Sequence, residues 1–405
     1  MLQLLCYFLQ QTCLRLSVML LALLVSSCAN APVVAPISEQ QLPQTSELGF
    51  ITDQVIPTTA DFYQLTSAQQ QHFLQFFHAP DQAEVLPHKR LYLYLEHHLS
   101  NFNYEGKNTL ASATMTQMSG NCVSLALLVT ALAQLVDIEV GYRATYAEPM
   151  LDYSSNILLS SAHVRSYLFE KNPPKDKSMM YLQRSAIVID YFPGPLTHLG
   201  ALLQKNQFEA MIYNNLAADA LLAGNLSQAY WLSKAALQRD PGFSPSINLI
   251  AILYRRSGDL AASAQWYEFG SRYSAQQVNL LSNYLVLAEQ MQNQPLITRL
   301  KSQLKSVDDD NPFAWFYLAM QAEQDKQPAE AVFYYRKLLV QAPYLHKANL
   351  ALARLQFQLG NTASARRALH DALEYSHEPT TRKLYQAKLQ ALEKFANPPN
   401  STNEL

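Results

Sequence analysis

The sequence predicts an α+β region in the N-terminal part followed by an all-α helical repeat solenoid. Three observations predict it: both helix and strand patterns fall between residues 60 and 205, positions recur every 34 residues beyond that, and the composition supplies a core. Hydrophobic residues make 49 % of the 405 and charged residues only 15 %, which separates the chain from disordered polypeptides. At roughly 150 residues per domain the length suits two folded domains with terminal extensions. Thirty Lys and Arg against 32 Asp and Glu leave a formal charge of -2. The strong positive field that drives nucleic-acid binding is missing, so nucleic acid is excluded as an expected partner.

Taken in chain order, residues 1–27 read as a signal peptide: Arg15 precedes the apolar stretch Leu16 to Val25, which is too short to span a bilayer. The residues Val25, Ser26, Ser27 and Cys28 resemble a bacterial lipobox. That resemblance implies a lipid anchor on Cys28, and Ala29 after it implies sorting to the periplasmic face of the outer membrane. Cys6 and Cys13 leave with the signal and Cys28 is blocked, so Cys122 is the one free thiol expected in the mature chain. Residues 28–59 carry Pro32, Pro36, Pro43 and Pro57 among Ser, Gln and Thr without hydrophobic period, and read as a flexible tether.

Residues 60–205 change character. Leu91 to Leu99 reads as a helix and Cys122 to Val136 as a strongly apolar one; β-prone runs follow at Ile138 to Tyr146, Ala162 to Phe169 and Ser185 to Tyr191. Cys122 stands where a Gly120-Asn121 turn meets its helix. Unpaired N–H groups and the macrodipole at a helix start stabilise a thiolate, so its pKa is expected to fall from about 8.5 into the range of roughly 3.5 to 7.5. A thiolate needs a proton carrier and a group that orients the carrier. His163 opens the second β run and Asp190 closes the third, so antiparallel pairing would bring both to one face beside Cys122. A lone Cys on an apolar helix also fits a buried core residue.

Gly120-Asn121-Cys122 opening a helix, a His163-Val164 strand and a Val188-Ile189-Asp190-Tyr191 strand resemble a bacterial transglutaminase-like domain, a family with the papain-like thiol fold. The resemblance implies Cys122 as nucleophile, His163 as general base and acid, and Asp190 as the residue that fixes the imidazole. It implies the backbone N–H of Cys122 at the oxyanion, with Gln117 or Asn121 as further donor candidates. Val123 replaces the Trp that follows the nucleophile in animal transglutaminases, and no Asp or Asn run suggests their calcium sites, so hydrolysis or acyl transfer at an amide is expected rather than cross-linking.

Residues 206–396 repeat. Gly224, Gly258, Gln292, Lys326 and Gly360 stand 34 apart, the tetratricopeptide spacing. Seven residues before them come Ala217, Ala251, Leu285, Ala319 and Ala353, and five after them Ala229, Ser263, Ile297, Ala331 and Ala365. Small residues in both columns let two helices cross closely, while Leu216, Ile250, Leu318 and Leu352 supply a face that a stacked neighbour buries. The resemblance gives five repeats, at 210–243, 244–277, 278–311, 312–345 and 346–379, the third degenerate in both columns. Residues 380–395 read as a capping helix and 397–405 as a disordered tail. In this family helix-A positions line an inner surface, here including Phe313, Phe316, Met320, Glu323, Lys347, Leu350, Arg354 and Phe357, which implies a protein or peptide partner; packing between helices is the alternative for any one of them.

No His-Glu-x-x-His motif or metal-ligand spacing is present and no Gly-rich phosphate loop, so neither metal, cofactor nor nucleotide is expected. Two readings result. One is a membrane-anchored thiol enzyme acting on an amide or peptide bond, with the repeats holding a partner; the other is a non-catalytic scaffold or adaptor lipoprotein of the cell envelope.

Overall fold

The computed structural model describes residues 37–104, 107–146, 163–171, 185–191, 198–274, 277–309 and 311–396. The chain divides into Met1–Ser38 and Glu39–Leu405. The expected signal peptide, Cys28 and the 397–405 tail lie outside the described residues. Among those residues no helix is long and apolar enough to cross a membrane.

Most of the described chain is a helical repeat array, preceded by a smaller sheet region. That region holds helices α1 (Thr59–Tyr63), α2 (Ser67–Phe77), α3 (Pro87–His98), α4 (Ala111–Gln117) and α5 (Cys122–Leu135). Its strands are β1 (Asn103–Tyr104), β2 (Ser119–Gly120), β3 (Val140–Tyr146), β4 (His163–Phe169), β5 (Ala186–Asp190) and β6 (His198–Leu203). The last four form one antiparallel sheet in the order β5-β4-β3-β6. Helix α5 is buried over Cys122 to Ala133 because it is apolar on every side, and Val164, Ser166 and Leu168 of β4 alternate inward. The α5 helix and three strands fall where the sequence predicts them. Strand β6 and the short helices α1, α2 and α4 do not show in the sequence pattern, being too short or too mixed for a period to emerge.

The array runs through α6 (Lys205–Leu222), α7 (Leu226–Arg239), α8 (Ser244–Ser257), α9 (Leu260–Tyr273), α10 (Val278–Gln290), α11 (Gln294–Ser306), α12 (Phe313–Gln324), α13 (Pro328–Gln341), α14 (His346–Gln358), α15 (Thr362–Tyr375) and the terminal α16 (Pro379–Ala396). The period is geometric as well as chemical. All five 34-residue anchors take left-handed backbone, at φ 80° (Gly224), 93° (Gly258), 54° (Gln292), 56° (Lys326) and 78° (Gly360). This conformation ends the first helix of a pair, and the next residue starts the second. Asn225, Asp259 and Asn293 cap that helix by accepting from the backbone N–H three residues on, at 3.0, 2.9 and 3.2 Å. Ala217, Ala251, Ala229 and Ser263 are fully buried at the crossings, whereas Leu285 and Ile297 of the third pair are only half-buried.

The expected tether differs from what the structure holds. Residues 39–58 form a strap along repeats one and two. Phe50 stacks on Tyr230 with ring centroids 4.0 Å apart, and Ile51 is pinned through Ser227 Oγ at 2.9 Å and Trp231 Nε1 at 2.8 Å. Thr45 donates to Tyr254 Oη at 2.7 Å and accepts from Trp266 Nε1 at 3.0 Å; Glu47 pairs with Lys234 at 3.3 Å. Tyr213 Oη donates to the Pro57 carbonyl at 2.8 Å. An irregular segment has no period to read, and each of these partners is more than 150 positions away, so the sequence pattern cannot announce them.

Candidate functional site

The approach to Cys122 is built from tight backbone. Helix α4 ends at Met118 in left-handed conformation (φ 50°), and Gly120 sits at φ 154° where a Cβ would lie 2.8 Å from Ser124 Cβ and 2.9 Å from Thr109 Oγ1. Only glycine fits there. Gly120 pairs with Tyr104 of β1, and Asn121 then caps α5 with its Oδ1, accepting from the Ser124 N–H at 3.0 Å. Cys122 is the first residue inside the helix.

Cys122 Sγ lies 3.4 Å from His163 Nδ1. The Cys122 helix packs against β4, and His163 is the first residue of that strand, paired with Thr145 of β3. Asp190, the last residue of β5, pairs in register with Arg165, two residues beyond His163 and on its face of the sheet. That makes Asp190 the diagonal cross-strand neighbour of His163, and its charge favours the imidazolium. The three residues chosen from sequence are thus brought into one neighbourhood.

Arg165 was not foreseen. Its Nη2 sits 2.5 Å from Asp190 Oδ2, so the carboxylate holds a guanidinium as well as facing the imidazole. The signal was present: Arg165 follows His163 at strand period two. Tyr104 is a second unforeseen neighbour, 45 % exposed and within electrostatic reach of both Cys122 and Asp190. Burial raises its phenol pKa.

The expected low thiol pKa does not hold. Burial pushes the Cys122 thiol up to about 11, with Asp190 adding to the rise, while backbone N–H groups of Val164, Val123 and Cys122 act against it. Burial also lowers the His163 pKa, opposed by Asp190. Desolvation outweighs the helix start because only 6 % of Cys122 reaches water. At neutral pH the resting pair is therefore a thiol facing a neutral imidazole.

The oxyanion candidates fare differently from expectation. Gln117 is exposed at the end of α4. Asn121 spends its amide on structure: Oδ1 caps α5 and Nδ2 donates to Asn108 Oδ1 at 2.8 Å. The backbone N–H of Cys122 is turned toward the sulfur.

In the repeats, Phe313 and Phe316 are buried between helices rather than lining a surface, and Met320 is half-buried. Glu323 accepts from Tyr335 Oη at 2.7 Å and pairs with Arg354. Lys347, Leu350, Arg354 and Phe357 do line a cavity of about 630 Å³, whose lining also includes Lys388 and Leu392 of α16. Its lining carries three cations and no carboxylate. His370, Asp371 and Glu374 of α15 place ligand atoms within 4.8 Å of one another, all exposed, a helix-face grouping the sequence reading did not single out.

No protein-family model matches this chain, and no curated protein matches it. Solved structures similar to it include one titled as the functional characterisation of Pseudomonas aeruginosa pilF, at 16 % identity and TM-score 0.30, covering 49 % of this chain and 96 % of that one. A crystal structure of MamA matches at 13 % identity and TM-score 0.27, over 43 % of this chain and 97 % of its own. YrrB, titled a TPR protein with an unusual peptide-binding site, matches at 16 % identity and TM-score 0.26, over 44 % and 92 %.

Proposed function

We propose that this chain is a repeat scaffold carrying a cysteine-dependent site for hydrolysis or acyl transfer at an amide. The observation that carries the reading is the contact of Cys122 Sγ with His163 Nδ1 at 3.4 Å, at the first residue of a capped helix.

The chemistry follows from the neutral resting pair. As Cys122 Sγ attacks an amide carbonyl carbon, its proton passes to His163 Nδ1; the S–C bond forms and the carbonyl π pair moves onto oxygen. The backbone N–H groups of Cys122 and Val123 at the helix start are the donors proposed for that oxygen. Asp190 offsets the imidazolium charge while Arg165 keeps the carboxylate in place. His163 then returns the proton to the leaving nitrogen as the C–N bond breaks, giving a thioester. Water or an amine, deprotonated by His163, attacks the thioester and restores the thiol. The transglutaminase-like motifs support the same assignment, and the lipobox at Cys28 supports placement on the periplasmic face of the outer membrane. The cavity between α14, α15 and α16 supports protein or peptide binding by the array.

One observation favours the scaffold reading without turnover: the sulfur is nearly sealed from solvent and holds its proton. Alkylation separates the two. Iodoacetamide modification of Cys122, followed by mass spectrometry from pH 5 to 10, is expected to run about 100-fold slower in His163→Ala at pH 7. A rate indifferent to His163 removes the enzyme and leaves the scaffold.

A further inference from the structure

The geometry points to Asp219, on the first repeat helix α6, as a positioning residue for the nucleophile of the sheet region, acting through the side chains of Asn108 and Asn121. This deepens the acyl-transfer reading and rests on it for its functional meaning. A carboxylate only accepts hydrogen bonds, whereas an amide has one accepting and one donating end. Asp219 Oδ2 accepts from Asn108 Nδ2 at 2.8 Å, which commits Asn108 to turn its Oδ1 the other way. That Oδ1 accepts from Asn121 Nδ2 at 2.8 Å. Asn121 in turn can present only its Oδ1 to the start of α5, where it accepts from Ser124 N–H at 3.0 Å and Ser124 Oγ at 3.2 Å. Ser124 Oγ closes the chain by accepting from Thr109 N–H at 2.8 Å.

Each amide in this chain has one orientation that satisfies both neighbours. The charge on a repeat helix therefore arrives, two amides later, as an oxygen at the cap of the turn bearing Cys122. Reversing Asn121 would set its NH₂ against the Ser124 N–H, and reversing Asn108 would set an NH₂ against that of Asn121 and drive the second amide to turn as well; both remove the cap from the first turn of α5 and loosen the seat of Cys122 opposite His163. A displacement of α6, such as a partner docking on the first repeat would impose, thereby has a path of polar contacts to the helix turn that seats the thiol.

The test uses the full chain and two readouts: hydrogen exchange at the first turn of α5 by mass spectrometry, and iodoacetamide alkylation of Cys122. Asp219→Lys replaces an acceptor by a donor and reverses the required polarity. It is expected to speed exchange at that turn about tenfold and to slow His163-dependent alkylation by a similar factor. Adding Asn108→Asp gives the new ammonium an acceptor and still accepts from Asn121, so the double variant is expected to return both readouts to within about twofold of the parent. Asp219→Asn, which keeps the shape, is expected to fall between parent and Asp219→Lys. A single variant without effect, or a double variant no closer to the parent than Asp219→Lys, overturns the relay; simple loss of packing would not be rescued by a second polar change. If alkylation of the parent is indifferent to His163, the acyl-transfer reading falls while exchange still decides the relay. If alkylation depends on His163 but exchange ignores residue 219, the relay alone falls.

Discussion

The repeat array and the sheet region solve the same burial problem in opposite ways. In the array each helix pair contacts mainly its neighbours, so a short local code suffices: a left-handed anchor, a capping residue, and small residues at the crossings. In the sheet region the decisive contacts are long-range. Cys122 meets His163 across 41 positions, and Arg165 meets Asp190 across a strand pairing. The local code tolerates a weak unit, as the third pair does with half-buried Leu285 and Ile297; the long-range site has no repeated copy to lean on.

The comparison can be broken or sharpened by substitution. The largest expected effect is at the strap, which adds long-range contacts to an otherwise local array. Phe50 is buried against Tyr230, and Phe50→Ala should cost about 3 kcal/mol in denaturant unfolding monitored by near-UV circular dichroism. A cost near zero would return this segment to the tether expected from its composition. Next comes Gly270, buried in α9, where a Cβ would lie 2.1 Å from Leu280 Cδ1 and 3.0 Å from Ile247 Cγ2. Gly270→Ala should cost roughly 2 kcal/mol by overpacking the seam between repeats two and three.

Smaller and opposite in sign is Gln292→Gly. Its φ of 54° strains a residue that bears a Cβ, and glycine at the corresponding Gly224, Gly258 and Gly360 meets nothing within 4 Å where that atom would be. A gain of about 1 kcal/mol is expected, and Lys326→Gly should match it; a loss at both would mean the third and fourth turns are not equivalent to the others.

The smallest effect is pH-dependent and belongs to the sheet region. Burial lowers the pKa of His88, His98 and His163 from the usual 6.5. A depressed histidine binds fewer protons folded than unfolded, so its contribution is complete above about pH 6.5 and declines as pH falls through the folded value. Calorimetric Tm is expected to be flat from pH 7 to 8 and to fall below pH 6.5. A lower-temperature sheet transition that moves with pH while a repeat transition stays put would show the two regions responding separately.

Legibility in the sequence follows the same divide. The period of 34 placed every helix pair of the array, because each anchor is read against four copies of itself. Cys122, His163 and Asp190 are legible as candidates because each sits at the end of an element, beside an apolar run. Arg165 escaped because its meaning depends on the β4-β5 register, and Asn121 misled because a capping amide and an oxyanion donor look alike until Asn108 is seen beside it. The thiol pKa departs from the expectation for a related reason. A helix start is visible in sequence, whereas the desolvation that outweighs it is a property of the assembled core.

The strap has a mechanical consequence. Between residue 38 and helix α1 the chain is fastened at Thr45, Glu47, Phe50 and Ile51 before it reaches the Pro57 contact with Tyr213. A pull applied at the amino end is therefore resisted first by repeats one and two, and the sheet region stands in series behind them. Tension would peel those fastenings in order, Thr45 before Phe50, and the contact of Cys122 with His163 would feel no force until the last had yielded.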